Sequence, residues 1–213
     1  MKTSDEPLRV TVFASGRGSN LEAILKNINA GKVNARIVAV ISNNSKAGAL
    51  ELAGKNNIPA YHISQKQYTD EHLFSDALLK VLQQHNTQLI ALAGYMKKIP
   101  LPVIRAFKDR ILNIHPALLP SFGGHGLYGH FVHEAVLNYG CKISGATVHI
   151  VDEDYDTGPP VCQQCVPVLE NDTPDTLAAR VLAVEHEIFS QAIQLFAQGR
   201  VQVKGRRVII ADR

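Results

Sequence analysis

The sequence predicts an α/β fold, a Rossmann-like, mostly parallel sheet with helices on both faces. Three observations lead there. Short apolar, β-branched runs alternate along the chain with stretches whose apolar residues fall at helical spacing. A glycine-rich turn, Ser15-Gly-Arg-Gly-Ser-Asn20, separates the first such run from the first such stretch. The run Ile111–Ile114 stops at His115 and Pro116, as a central strand does when it delivers polar side chains at its carboxyl end. Strands that alternate with helices imply right-handed crossovers and hence a mostly parallel sheet.

Each element has its own signal. Leu8–Ala14 is a β-branched run and reads as a buried first strand; Leu21–Ile28 follows with helical spacing. Ala35–Ser42 is a second strand, followed by a helix over about Lys46–Lys55 and a short strand at Ala60–Ile63. Tyr68–His85 carries a helical stripe through Leu73, Phe74, Ala77, Leu78, Val81 and Leu82. Leu89–Ala93 is a further buried strand, then a loop at Gly94–Ile99 and a short helix near Leu101–Phe107. Beyond Pro120 the texture changes. Ser121–Gly129 is glycine-rich and aperiodic, a flexible loop over a site. A helix at Phe131–Tyr139, a strand at Gly145–Val151, an acidic turn at Asp152–Pro160 and a returning strand at Val161–Val168 follow. Thr173 is the expected N-cap of a long helix running to about Gln198, with Pro174 at its first position. Val201–Ile210 reads as a terminal hairpin around Gly205.

At 213 residues, with no repeat or linker, one domain over residues 1–213 is expected. Apolar residues make up 46%, enough for a sizeable core. A net charge of +3 is too weak to indicate a nucleic-acid partner, though it leaves room for a local patch facing a phosphate. No apolar run reaches the ~18 residues of a membrane span. Met1–Pro7 is polar and lacks a signal-peptide core, so a cytoplasmic location is expected. Cys141, Cys162 and Cys165 make no disulfide framework, and Cys162-x-x-Cys165 lies in a β-like run with no further ligands, so structural thiols and no metal are expected. His130, His133 and Glu134 do not match the zinc-protease helix spacing.

The chemistry-bearing residues fall in three places. The strand–glycine turn–helix at Ser15–Asn20 offers backbone N–H groups to an anion. Leu21 stands where a dinucleotide fingerprint needs its third glycine, and no Gly-Lys-Ser/Thr is present, so a small phosphate fits best. Asn113 and His115 lie two apart on a strand and point to one face. On spacing alone they could equally be a structural amide and a surface imidazole. Asp156 closes the acidic turn; a carboxylate beside an imidazole raises its pKa and orients it. Amide and imidazole donors suit an oxyanion at a carbonyl carbon, which points to direct acyl transfer by general acid–base catalysis. His149, on a strand, reads as a satisfied core histidine.

The motifs Ser15–Asn20, Ala93-Gly-Tyr-Met96, Asn113–Pro120, Thr147–Asp152 with Asp156-Thr-Gly-Pro159, and Val184-Glu-His186 occur in one order and span nearly the whole chain. In these the chain resembles the phosphoribosylglycinamide formyltransferases, the folate-dependent glycinamide ribonucleotide transformylases. The resemblance implies a formyltransferase fold with an antiparallel C-terminal extension of the sheet. It implies a phosphate-binding half at about 8–110 and a catalytic, folate-binding half at about 111–213. It also implies formyl transfer from 10-formyltetrahydrofolate to the amine of glycinamide ribonucleotide in de novo purine synthesis, without a covalent enzyme intermediate.

By the same resemblance Asn113 and His115 would stabilise the oxyanion, His115 would act as general acid, and Asp156 would set its pKa. Gly18, Ser19, Asn20 and Glu185 would hold the ribonucleotide. Met96, Lys97, Lys98, Ile99, Asp152, Glu153, Asp154 and Tyr155, with Asn113, would line the folate site, largely through main chain. The expected partners are these two small molecules, not nucleic acid or a membrane, and the expected state is a monomer or homodimer. The sequence departs from the family pattern in three places. Ser64–Tyr68 offers no arginine for the folate, the loop Phe122–His133 is long, and Pro160 replaces an aliphatic residue. A related deformylase usually carries an extra domain before this fold and a tRNA transformylase one after it; at 213 residues neither extra domain is expected here.

Overall fold

The computed structural model describes residues 6–212; residues 1–5 of the polar N-terminal stretch lie outside the described residues. The elements follow the order β1 (Leu8–Phe13), α1 (Ser19–Asn29), β2 (Ala35–Ser42), α2 (Gly48–Lys55), β3 (Ala60–His62), α3 (Glu71–Gln84), β4 (Leu89–Leu92), α4 (Leu101–Ala106), β5 (Ile111–His115), α5 (His130–Asn138), β6 (Ile143–Ile150), β7 (Pro160–Pro167), α6 (Pro174–Ala197), β8 (Val201–Lys204) and β9 (Arg207–Ile210). Seven strands form one sheet in the order β3-β2-β1-β4-β5-β6-β7. β1 to β5 are mutually parallel, whereas β6 runs antiparallel to β5 and β7 antiparallel to β6. The mostly parallel sheet with an antiparallel C-terminal extension is therefore the observed architecture. The terminal hairpin forms as expected, but as a separate two-stranded ribbon.

The chain winds outward from β1, first through β2 and β3 and then back through β4 and β5. The carboxyl ends of β1 and β4 thus flank the switch point, where open α/β sheets take their ligands. Ser15 ties these ends together. Its N–H donates to the Gly94 carbonyl, its hydroxyl donates to Asn43 Oδ1 at 2.5 Å, and its Oγ accepts the Met96 N–H at 2.8 Å.

Strand alternation sorts the core onto two faces. Val10, Val12, Leu112, Ile114, Ala146, Val148 and Ile150 pack into one apolar cluster with α1 and α6. Phe13, Ile90, Leu92 and Ile111 pack into the other, with α3 and α4. Asn113, His115, Thr147 and His149 share the second face by alternation, beyond the reach of the six-residue α4.

Local deviations from the sequence expectation have local causes. The helix expected from Tyr68 begins at Glu71, because the Asp70 side chain accepts the Leu73 N–H and caps it; Gln65–Gln67 forms a separate 3₁₀ turn. α6 starts where expected, with a Thr173–Thr176 capping box and Pro174 at its first position. The buried stripe of α6 runs Leu177, Val181, Glu185, Ile188, Ala192, so a carboxylate occupies an apolar helical position.

Candidate active site

Antiparallel pairing of β5 with β6 sets Asn113 opposite His149 and His115 opposite Thr147. Four polar side chains are thereby gathered on one patch of the sheet. His115 and His149 are 3% and 2% exposed. Asp156 reaches them from the turn after β6, with a left-handed backbone (φ 56°). That turn is held closed by Thr157, whose hydroxyl donates to Asp152 Oδ1 at 2.6 Å, and by Gly158, where a Cβ would lie 1.8 Å from the Ile150 carbonyl oxygen. No side chain can occupy that position without opening the turn.

Asp156 Oδ2 lies 3.6 Å from His115 Nδ1, and Asp156 Oδ1 lies 3.4 Å from His149 Nε2 and 3.5 Å from Asn113 Nδ2. The Gly124 N–H donates to Asp156 Oδ2 at 3.0 Å. Burial would raise the Asp156 pKa, but the groups packed against it, among them His115 and the Gly124 N–H, outweigh it and hold the carboxyl below the usual range. For His115 the balance falls the other way. Burial is the largest influence and lowers its pKa; Asp156 and the Phe122 carbonyl raise it, without overcoming burial. The sequence expectation of a raised His115 pKa is corrected here: Asp156 acts in the expected direction, but the net position is below the ordinary histidine value because the ring is enclosed.

These groups line a cavity of about 910 Å³, large enough for two small-molecule substrates. Asn20 and Glu185 share its wall, and Asn20 Nδ2 donates to Glu185 Oε2 at 2.9 Å. Burial pushes the Glu185 carboxyl up, and the Asn20 bond opposes it. Three residues of the wall each carry a buried polar atom without a hydrogen-bond partner among the described residues: Asn20 Oδ1, His133 Nδ1 and the Tyr95 hydroxyl.

Of the residues singled out from the sequence, Asn20, Met96, Lys97, Lys98, Ile99, Asn113, His115, Asp152, Asp154, Tyr155, Asp156 and Glu185 line this one cavity. Gly18, Ser19 and Glu153 do not. Gly18 precedes α1 with φ 90°, and a Cβ there would meet Ala49 at 3.0 Å, so its glycine serves the close approach of α1 and α2. The Glu153 carboxylate turns away to Arg105 (3.9 Å) and lines a separate cavity of about 380 Å³. His149, read from the sequence as a core histidine, is buried but bonded into the cluster. Arg17 and Tyr95, which lie inside two of the sequence motifs but were given no role there, and His133 also line the cavity. The signal that was available for His149 is its alternation with Thr147, which mirrors Asn113 and His115 on the facing strand.

No group of three or more His, Cys, Asp or Glu among the described residues is arranged to hold a metal ion. No helix among them is long and apolar enough to cross a membrane. Cys162 and Cys165 lie on β7, pair with Val148 and Gly145 across the sheet, and are free thiols.

A doubly wound sheet carries amide, imidazole and carboxylate side chains together beside a ligand cavity, and residues 8–193 match the family model described as formyl transferase: the chain belongs to that family. It is 42% identical over 203 residues to phosphoribosylglycinamide formyltransferase, chloroplastic, of Arabidopsis thaliana, an alignment covering 94% of this chain and 70% of the plant protein. It is 42% identical to a stretch of the trifunctional purine biosynthetic protein adenosine-3 of Bos taurus, covering 92% of this chain but only 19% of that protein. Among solved structures, glycinamide ribonucleotide transformylase 1 from Symbiobacterium toebii superposes with a TM-score of 0.92 at 42% identity, covering 98% of this chain and 96% of that one.

Proposed function

We infer that this chain is a phosphoribosylglycinamide formyltransferase. It transfers a formyl group from 10-formyltetrahydrofolate to the amine of glycinamide ribonucleotide, giving formylglycinamide ribonucleotide and tetrahydrofolate in de novo purine synthesis. The observation that carries this reading is the convergence of Asn113, His115 and Asp156 on the wall of a cavity that Asn20 and Glu185 also line.

The residues take the following roles in the proposal. The substrate amine is itself the nucleophile, so no side-chain nucleophile is required. As its lone pair bonds to the formyl carbon, the carbonyl electrons move onto oxygen, and N–H groups of Asn113 and His115 meet that charge. Collapse restores the carbonyl and breaks the bond to the folate nitrogen, which must gain a proton as the attacking amine loses one. His115 exchanges these protons, and Asp156 favours and orients its charged form. Asn20, Glu185 and the N–H groups at the start of α1 (Gly18, Ser19) hold the ribonucleotide. Met96–Ile99 with Asp152, Asp154 and Tyr155 line the folate side; Glu153, which faces a separate cavity, takes no part. A monomer or homodimer and a cytoplasmic location belong to the same proposal.

The test is a formyl-transfer assay with glycinamide ribonucleotide and 10-formyltetrahydrofolate, with acceptor-free hydrolysis as control. Acceptor-dependent product is expected. Hydrolysis without acceptor would assign a deformylase, and binding without either reaction would overturn an enzymatic role.

A further inference from the structure

His149 belongs to no role described so far, yet it is the most enclosed titratable side chain of the cluster. Its Nδ1 lies 3.0 Å from the Ile150 carbonyl oxygen. A carbonyl only accepts, so Nδ1 carries a hydrogen. In the neutral ring Nε2 is then a bare acceptor, and it faces Asn113 Nδ2 at 3.0 Å. Turning the Asn113 amide over would place its oxygen against that lone pair and against Asp156 Oδ1. With the ring neutral, only the orientation with –NH₂ toward His149 gives Nε2 a hydrogen.

The same geometry leaves one amide hydrogen unspent. The triangle Asn113 Nδ2, His149 Nε2, Asp156 Oδ1 has sides of 3.0, 3.5 and 3.4 Å. Its angle at the amide nitrogen, by the cosine rule on those sides, is about 60°, about half the 120° between the two N–H bonds of a planar amide. With one N–H directed at Nε2, the nearer acceptor, the other misses Asp156 Oδ1 by at least about 60° and makes no hydrogen bond to it. That second hydrogen is free for a ligand oxygen on the same cavity wall.

We propose that His149 is a positioning residue for formyl transfer, acting through Asn113: its neutral, Nδ1-protonated imidazole accepts an Asn113 amide N–H and so fixes which end of that amide meets the transferred group. This rests on the transferase reading above. It assigns the buried histidine a reason to be polar, since a phenylalanine would fill the space but leave the amide free to rotate. Asp156 alone, at 3.5 Å, is at the outer limit of a hydrogen bond and holds the amide weakly.

The test uses His149→Phe, His149→Gln and a cycle with Asn113→Ala. His149→Phe should lower kcat by up to roughly 10²-fold, the scale of losing one oxyanion donor, with the KM of both substrates changed less than about threefold. In His149→Gln, whose side-chain oxygen takes the place of Nε2, most of that loss should be recovered. In the Asn113→Ala background, His149→Phe should cost almost nothing further, because there is no amide left to orient. Full additivity in the cycle, or no recovery with glutamine in a protein of unchanged melting temperature, would overturn the proposal. Nitrogen-15 NMR of the wild-type imidazole provides an arm independent of activity. A protonated Nδ1 and an accepting Nε2 support the assignment, and the opposite tautomer refutes it even if the enzyme proves to catalyse another reaction.

Discussion

His115 Nε2 lies 2.8 Å from the carbonyl oxygen of Phe122, and because a carbonyl only accepts, this nitrogen donates to it. Both ring nitrogens of His115 are thus engaged, one by Phe122 and the other facing Asp156. Phe122 carries a left-handed backbone (φ 55°) unusual for an aromatic residue, at the start of the glycine-rich loop. The proposed mechanism needs an N–H of His115 on the formyl oxygen, and Asp156 supplies charge that the mechanism retains. The Phe122 carbonyl is therefore the partner that must be exchanged. Binding of glycinamide ribonucleotide with an unreactive formylfolate analogue should move the His115 Nε2–H resonance and speed amide exchange at Phe122 and Gly123. An unchanged resonance in the ternary complex would show that His115 keeps its loop contact and does not meet the substrate.

Asp156→Asn removes the charge while preserving shape. Asp156 is the largest of the influences that raise the His115 pKa against burial, so its loss moves the His115 titration to still lower pH. Less of the acid form is then present at neutral pH. With general acid–base assistance contributing roughly 10²–10⁴-fold, kcat should fall by that order while calorimetric affinities for both substrates hold within a few-fold. A His115 titration that stays in place in the variant would dissolve the pairing.

Much of this arrangement could be read in the sequence, for identifiable reasons. Strand and helix periodicities are local, so β1, β2, β4 and β5 fell within a residue or two of their runs. Asn113 and His115 were visible as a pair because two-residue spacing on a strand is itself a geometric statement. The partnership of Asn113 with His149 was not visible. It depends on the antiparallel register of β5 and β6, which is settled by packing some 36 positions apart in the chain. The Gly124 N–H and the Phe122 carbonyl were hidden for another reason, since backbone groups have no residue identity to read. Glu185 left a clue that periodicity could have caught, a charge within the apolar stripe between Val181 and Ile188.

That misplaced charge makes a further prediction. Glu185 is buried with a single side-chain partner, Asn20, and burial raises its pKa, so the folded protein pays for keeping it ionised. Glu185→Gln retains an acceptor for Asn20 and removes the charge. The variant should melt at an equal or higher temperature while its KM for glycinamide ribonucleotide rises about tenfold or more and its affinity for the folate stays put. Such a trade would mark the carboxylate as functional. A stability loss with unchanged KM would make it structural.

The last prediction concerns pH and His133. This ring is 4% exposed, its Nδ1 has no hydrogen-bond partner among the described residues, and burial, reinforced by His130 and His115, pushes its pKa from 6.5 down to about 4. Between those two values the unfolded chain holds a proton on this residue that the folded protein does not. Stability therefore rises with pH across that window: the contribution is complete above 6.5 and is lost as pH falls toward 4. His115 and His186, also lowered by burial, act in the same sense. The variant must isolate His133 from them, and His133→Gln does so by removing one titrating ring while keeping a polar side chain. Urea unfolding at pH 7, 6 and 5 should show the wild type losing stability more steeply than the variant, by at most about 1.4 kcal/mol per pH unit, the limit for a single proton. Parallel curves would mean that His133 is already protonated or solvated in the folded state.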